Sequence, residues 1–302
     1  LAALAHPEGE RAAARAAANK GIISTLSSSS TWSLEDVAEA TPDAARWFQL
    51  YIWRDREVTR EVVERARAAG YRALVVTVDV PVAARRERDL RNGFEIPPRP
   101  TIRQAGDVLR HVEWFTRRGW DEVFGHGLVM GNFGKKSGIG KRVVMMDYVN
   151  TMFDPSVTWD DLEWLKSIWG GDILIKGITN QDDAREAVAR GANGVWVSNH
   201  GGRQLDGLPA TIDVLPGIVD AVDGKAEVFL DSGVRRGSDV IKALARGARA
   251  CMIGRPYVYG LGAGGQVGVE RVIDHIRAEI DANLALIGCS SVGKLDGSYL
   301  RN

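Results

Sequence analysis

Residues 197–206 read Val-Ser-Asn-His-Gly-Gly-Arg-Gln-Leu-Asp, and they place an imidazole, two glycines and a guanidinium within four positions. His200 can take up a proton near neutral pH. Arg203 can grip a carboxylate through two parallel N–H bonds, and Gly201-Gly202 let a ligand come close to the backbone. A base beside an anion clamp points to proton abstraction next to a carboxylate. The apolar run Gly194–Val197 leads into this segment, so the chemistry sits at the end of a buried strand.

Apolar runs alternate with helix-period segments along most of the chain, the pattern of βα units. Seven runs read as strands: 21–26, 46–51, 73–79, 172–176, 194–198, 227–231 and 250–254. Helices are predicted over Glu57–Ala69, Asp182–Arg190 and Asp239–Arg246, closed by Gly70, Gly191 and Gly247. A closed parallel barrel has eight strands, and the shortfall of one is read as a first strand preceding Leu1. The rival fold, an open doubly wound sheet, gathers its site at one switch point, whereas here polar residues end nearly every strand. The expected fold is therefore an α/β (β/α)8 TIM barrel. It forms one domain over 1–302 with a long insertion after the fourth barrel strand.

In such a barrel the loops after the last two strands commonly bind phosphate. Here they are Asp231-Ser232-Gly233-Val234-Arg235-Arg236-Gly237 and Gly254-Arg255-Pro256. Their glycines open backbone N–H groups to an anion, and Arg235 and Arg255 add bidentate contacts. A mononucleotide fits, since no dinucleotide fingerprint is present.

These segments together resemble the active-site signature of the FMN-dependent L-2-hydroxy-acid oxidising enzymes. That family includes glycolate and lactate oxidases, flavocytochrome lactate dehydrogenase, and membrane-associated lactate and mandelate dehydrogenases. The similarity runs from Leu1 to about Tyr299. The run Phe153-Asp154-Pro155-Ser156-Val157-Thr158-Trp159, with Asp161-Leu162-Glu163-Trp164, resembles the membrane-associated bacterial lactate dehydrogenases in particular. Leu1–Glu10 resembles a loop that follows the first barrel strand in the family.

The resemblance implies FMN as cofactor. Ser27, Gln49 and Thr77, each ending a different strand, and Ser198 would serve the flavin ring as donors and acceptors. Lys176 would face N1 and C2=O, where a fixed cation favours reduction. Asp231 would accept from the ribityl hydroxyls, and Ser232, Gly233, Val234, Arg235, Gly254 and Arg255 would hold the phosphate. On the substrate side, Tyr51 would contact the hydroxyl or keto oxygen, and Arg86 and Arg203 the carboxylate. His200 would be the base and Asp79 the carboxylate that orients it. Where Ser29 stands, glycolate oxidases carry a tryptophan, which implies a more open pocket here.

The expected reaction is oxidation of an L-2-hydroxy acid of lactate or mandelate type to the 2-keto acid. Electrons pass to N5 of FMN and then to a quinone or similar carrier. One alternative is an oxidase that uses O2 and releases H2O2. Another is a non-catalytic flavin- or phosphate-binding barrel, which would have no use for His200, Arg203 and Arg86. Both proton routes, from the hydroxyl or from the α-carbon, remain open.

Composition narrows the setting. The 302 residues carry 39 basic and 39 acidic side chains, so no global charge invites nucleic acid. Two cysteines, Cys251 and Cys289, argue against a disulfide scaffold, and no CxxC offers a metal site. No run of about 18 apolar residues and no secretion signal is seen. A cytoplasmic protein is expected, or one peripheral on the cytoplasmic membrane face. Residues 99–150 depart from the βα rhythm with nine Lys/Arg and five Asp/Glu, interspersed with Trp114, Phe115, Trp120, Phe124 and Phe133. Such a basic, aromatic insertion reads as a membrane-surface segment or equally as a lid or subunit contact. The resemblance implies a homo-oligomer, a tetramer.

Overall fold

Apolar stretches rich in β-branched residues extend into strands, and the amphipathic stretches between them wind into helices. The computed structural model describes residues 2–82, 84, 86–93, 106, 110–112, 116, 130–133 and 153–300. In chain order the elements are α1 (Gly9–Asn19), β1 (Ser24–Ser27), α2 (Leu34–Glu39), β2 (Arg46–Leu50), α3 (Arg56–Ala68), β3 (Ala73–Thr77), α4 (Glu87–Arg91) and α5 (Asp160–Trp169). Then follow β4 (Asp172–Ile178), α6 (Gln181–Ala189), β5 (Gly194–Val197), α7 (Thr211–Val222), β6 (Glu227–Leu230), α8 (Gly237–Ala245), β7 (Ala250–Cys251) and α9 (Arg255–Leu286). The expected basic stretch 99–150 lies outside the described residues except at 106, 110–112, 116 and 130–133.

Among the described residues seven strands are parallel and bonded in strict sequence order, β1 to β7. None of these is skipped, so they form no switch point of the kind an open doubly wound sheet needs. This is the order of a (β/α)8 barrel.

The period-2 alternation of strands then sorts the side chains. One set turns toward the helices: Leu26, Phe48, Leu74, Val76, Ile173, Ile175, Val195 and Leu230 join the main core, most of them fully buried. The other set forms a separate interior cluster of Ala73, Val75, Leu174, Trp196 and Phe229, with Trp47 packed against it. Trp47 meets Phe229 edge-to-face at 5.3 Å and Trp196 at 6.4 Å, arrangements aromatic quadrupoles favour. Each such side chain removed from water contributes about 1.5–3 kcal/mol. This alternation positions the site. Two residues beyond Trp47 comes Gln49, beyond Val75 Thr77, beyond Leu174 Lys176, beyond Trp196 Ser198 and beyond Phe229 Asp231.

Helix starts are fixed locally. The Asp55 side chain accepts from the N–H groups of Glu57 and Val58 at 2.9 and 3.3 Å to cap α3, and Asn180 accepts from Asp183 N–H at 2.8 Å to cap α6. Both cysteines are free thiols, and burial pushes the Cys251 thiol up to about 12. Among the described residues no helix is long and apolar enough to cross a membrane.

Candidate active site

Past β5 the chain turns left-handed at three residues in succession, His200 (φ 56), Gly201 (φ 66) and Gly202 (φ 69). A histidine in this conformation is uncommon and marks a constrained position. The turn is held by its neighbours: His200 N–H donates to Ser198 Oγ at 3.1 Å, and Gly201 N–H donates to Ser232 Oγ at 2.9 Å. It brings His200 Nδ1 to 3.0 Å from Asp79 Oδ1, across 121 residues of sequence. An ionised carboxylate only accepts, so Nδ1 carries a proton, and in the neutral imidazole Nε2 is the nitrogen with the lone pair. The second Asp79 oxygen is buried without a hydrogen bond; its nearest cation is Lys176 Nζ at 3.9 Å.

Asp79 can approach only because residue 177 is glycine. Gly177 has φ 108, and a Cβ there would lie 2.8 Å from the Asp79 Cβ and 2.9 Å from its backbone nitrogen. The pairing of β4 with β5 shifts register at this point, between Lys176 and Ile178. Gly177→Ala should therefore lose about 1–3 kcal/mol of stability through backbone strain. It should also displace Asp79, lowering the rate of any reaction that uses the His200–Asp79 pair. Denaturant unfolding together with steady-state kinetics checks both, and an unchanged rate would mean that Asp79 is not held by this contact.

Lys176 is turned inward to two carboxylates. Its side chain is 12% exposed and lies between Asp231 Oδ2 at 3.6 Å and Asp79 Oδ2 at 3.9 Å. It donates to Ser198 Oγ at 2.9 Å and sits 5.8 Å from the Trp196 ring centre. Across the first three strand ends runs a second chain of bonds: Ser27 Oγ donates to Gln49 Oε1 at 2.8 Å, and Gln49 Nε2 donates to Thr77 Oγ1 at 2.9 Å. The structure thus joins Ser27, Gln49 and Thr77 into one polar row, and Lys176, Ser198, Asp79 and Asp231 into a charged one.

Beyond β6, Ser232 (φ 72) and Gly233 (φ 98) turn the chain left-handed, with Ser232 Oγ donating to Asp231 Oδ1 at 2.6 Å. Thr211 Oγ1 anchors this corner on the Asp231 carbonyl at 2.7 Å. The amides of Gly233 and Val234 donate to no acceptor among the described residues, and the Arg235 guanidinium has no ion pair among them. Arg255, opening α9 after Gly254, donates to the Gly201 carbonyl at 3.0 Å. Open amides beside two arginines form a cradle for an anion. With the polar row as ring partners and Asp231 as a hydroxyl acceptor, this donor set fits FMN.

Arg86 Nε donates to the Arg203 carbonyl at 3.2 Å. Burial first, then the like charge of Arg203, lowers the Arg86 guanidinium below its ordinary range. Arg203 lies 3.6 Å from Asp89 Oδ2 on α4 and keeps a half-exposed side chain. Two neighbouring arginines suit a substrate carboxylate, which each can hold through paired N–H bonds. Burial, then the Asp79 charge, raises the Tyr51 hydroxyl above its ordinary range, with Arg86 opposing. Tyr51 thus stays a neutral O–H, its ring edge-on to Phe153 at 5.2 Å. It borders a cavity of about 400 Å³ whose walls include Val80, Pro81, Phe153 and Trp159.

Two residues whose contacts no local pattern announces are Gly177 and Asn132. Glycine following a charged strand end was the only signal for the first. Asn132 gave none, for its partners lie about a hundred positions away.

The family model described as FMN-dependent dehydrogenase matches residues 1–302. The chain is 47% identical over 298 residues to 2-Hydroxyacid oxidase 1 of Mus musculus, covering 99% of this chain and 75% of that protein. It is 48% identical over 300 residues to L-lactate oxidase of Nostoc sp. (strain PCC 7120 / SAG 25.82 / UTEX 2576), covering 98% and 76%. Among solved structures, that of the monotopic membrane protein (S)-mandelate dehydrogenase superposes with a TM-score of 0.92 at 39% identity, over 100% of this chain and 79% of that one.

Proposed function

The chain belongs to the FMN-dependent dehydrogenase family, and from that premise we propose that it oxidises an L-2-hydroxy acid, of lactate or mandelate type, to the 2-keto acid. The observation that carries this reading is the His200–Asp79 pair at 3.0 Å, with Arg86 bonded to the carbonyl of Arg203 three residues beyond His200. Bound FMN supplies a two-electron acceptor. Arg203 and Arg86 grip the substrate carboxylate, and Tyr51 donates to the oxygen on the reacting carbon. His200 takes a proton from the substrate through Nε2, and Asp79 stabilises the imidazolium that results. General-base help of this kind contributes about 10²–10⁴-fold. Lys176 would set a fixed positive charge beside the ring, which favours its reduction. Ser27, Gln49, Thr77 and Ser198 orient the ring, Asp231 the ribityl chain. Ser232, Gly233, Val234, Arg235, Gly254 and Arg255 hold the phosphate. Denatured protein should release one chromophore per chain with the mass of FMN, and turnover should yield the keto acid. Release of FAD would contradict the cofactor assignment.

The acceptor of the electrons would be a quinone or similar carrier. This is supported by the 0.92 TM-score to a monotopic membrane dehydrogenase and by the net positive charge of 99–150, nine Lys/Arg against five Asp/Glu. That insertion of a single FMN-binding domain would rest on the cytoplasmic membrane face, and the chain would form a homo-oligomer, a tetramer. Attraction to anionic lipid is worth about 1 kcal/mol per Lys/Arg near the surface and fades with salt. Anionic liposomes should accordingly sediment the protein at low salt and release it at high salt. Failure to bind at low salt would leave 99–150 as a lid or subunit contact. The second reading, an oxidase using O2, is favoured by the 47% and 48% identities to two oxidases. Stoichiometric peroxide in air would select it.

A further inference from the structure

Asn132 comes from the stretch between β3 and β4, yet its fully buried side chain lies against the turn after β1. Its amide nitrogen donates to the Ser30 hydroxyl at 2.9 Å and to the carbonyls of Ser28 and Ser27 at 3.1 and 3.3 Å. Its amide oxygen accepts from Leu34 N–H, the start of α2, at 2.8 Å. Both ends of the amide are therefore engaged, which for a buried carboxamide fixes position and orientation together.

The backbone on either side is fixed as well. Gly131 N–H donates to the Ser30 carbonyl at 2.9 Å. A Cβ on residue 131 would lie 2.3 Å from the Trp32 carbonyl carbon, so only glycine lets the two backbones meet. Arg65, paired with Glu35 at 2.7 Å, donates to the Asn132 carbonyl at 2.8 Å. Phe133 packs on Trp53 at 4.9 Å. Residues 131–133 thus form a wedge between the β1 turn and α3.

We propose that Asn132 is a positioning residue for the cofactor: its amide holds the Ser27–Ser30 turn in the conformation that meets the flavin ring. The proposal rests on the reading that this turn lines the flavin site. Ser27 Oγ is the head of the polar row through Gln49 and Thr77, and it also accepts from Ser29 N–H at 3.1 Å. Releasing the Ser27 and Ser28 carbonyls frees the turn to rotate and breaks the row at its first member.

Asn132→Asp is the test, because it keeps the size and the acceptor for Leu34 but sets oxygen against the Ser27 and Ser28 carbonyls and removes the donor to the Ser30 hydroxyl. The apo-protein should bind FMN about 10- to 100-fold more weakly, the scale of a buried group left unsatisfied, and the visible spectrum of bound flavin should shift. Asn132→Asp combined with Ser27→Ala should be no weaker than the worse single variant, since the two act through one turn. An unchanged FMN Kd and spectrum, even with a lowered apo-protein Tm, would reduce Asn132 to a structural role and overturn the proposal. So would full additivity in the double variant. If Ser27→Ala alone does nothing while Asn132→Asp weakens FMN, the Ser27 contact fails but the positioning role stands. Should Asn132→Asp not fold, Ser30→Ala removes one of the three acceptors and should weaken FMN about 2- to 5-fold; no change there overturns the proposal equally.

Discussion

His200→Ala should retain FMN and still bind the hydroxy acid, yet reduce its flavin about 10²–10⁴-fold more slowly. The loss is confined to the chemical step because His200 contributes little to holding either ligand. Its Nδ1 is committed to Asp79 at 3.0 Å and its backbone N–H to Ser198. Only Nε2 remains for the substrate. Rapid-mixing absorbance under argon separates the reduction step from binding, and a rate within about tenfold of the parent would remove His200 from the role of base.

The second large effect is expected at Arg203. Truncation to alanine should weaken every 2-hydroxy acid by about 1.5–3 kcal/mol, the worth of a hydrogen bond to a charged group. Arg86 remains to hold part of the carboxylate. Arg203→Lys should recover little of this, because an ammonium lacks the planar fork. The neighbouring Asp89 at 3.6 Å shows that a carboxylate already suits this guanidinium. Substrate Kd from flavin perturbation, read beside kcat, is the measurement. Parental affinity in the lysine variant would place the carboxylate elsewhere.

How far the sequence could be read follows from the range of the forces involved. Strands and the residues ending them are local: a run such as Ala73–Thr77 declares itself by composition, and period 2 then carries Thr77 and Asp79 to the mouth of the barrel. Boundaries were less legible. The strand expected over 21–26 begins at Ser24, because Gly21 (φ 62) belongs to the close of α1, and the one expected over 250–254 pairs only at Ala250–Cys251.

Helix α7 contains Pro216, which cannot donate to the Ile212 carbonyl and would normally end a helix. Arg246 on the neighbouring element supplies that bond instead, donating to Ile212 O at 3.2 Å. No local rule announces such a rescue. The same holds for Asn132 and Gly177, whose importance lies in what another segment brings against them. Arg86 and Arg203 were legible as cations, but the Asp89 partner became visible only once α4 folded over the Arg203 turn.

Passage of electrons from a hydroxy acid to the chain's own flavin is the central claim. Holoenzyme under argon should lose its visible flavin absorbance on adding L-lactate or (S)-mandelate, one equivalent of keto acid forming per flavin, while the opposite enantiomers leave the colour unchanged. Flavin that stays oxidised in the presence of both acids, in protein that binds FMN and is folded, would contradict it.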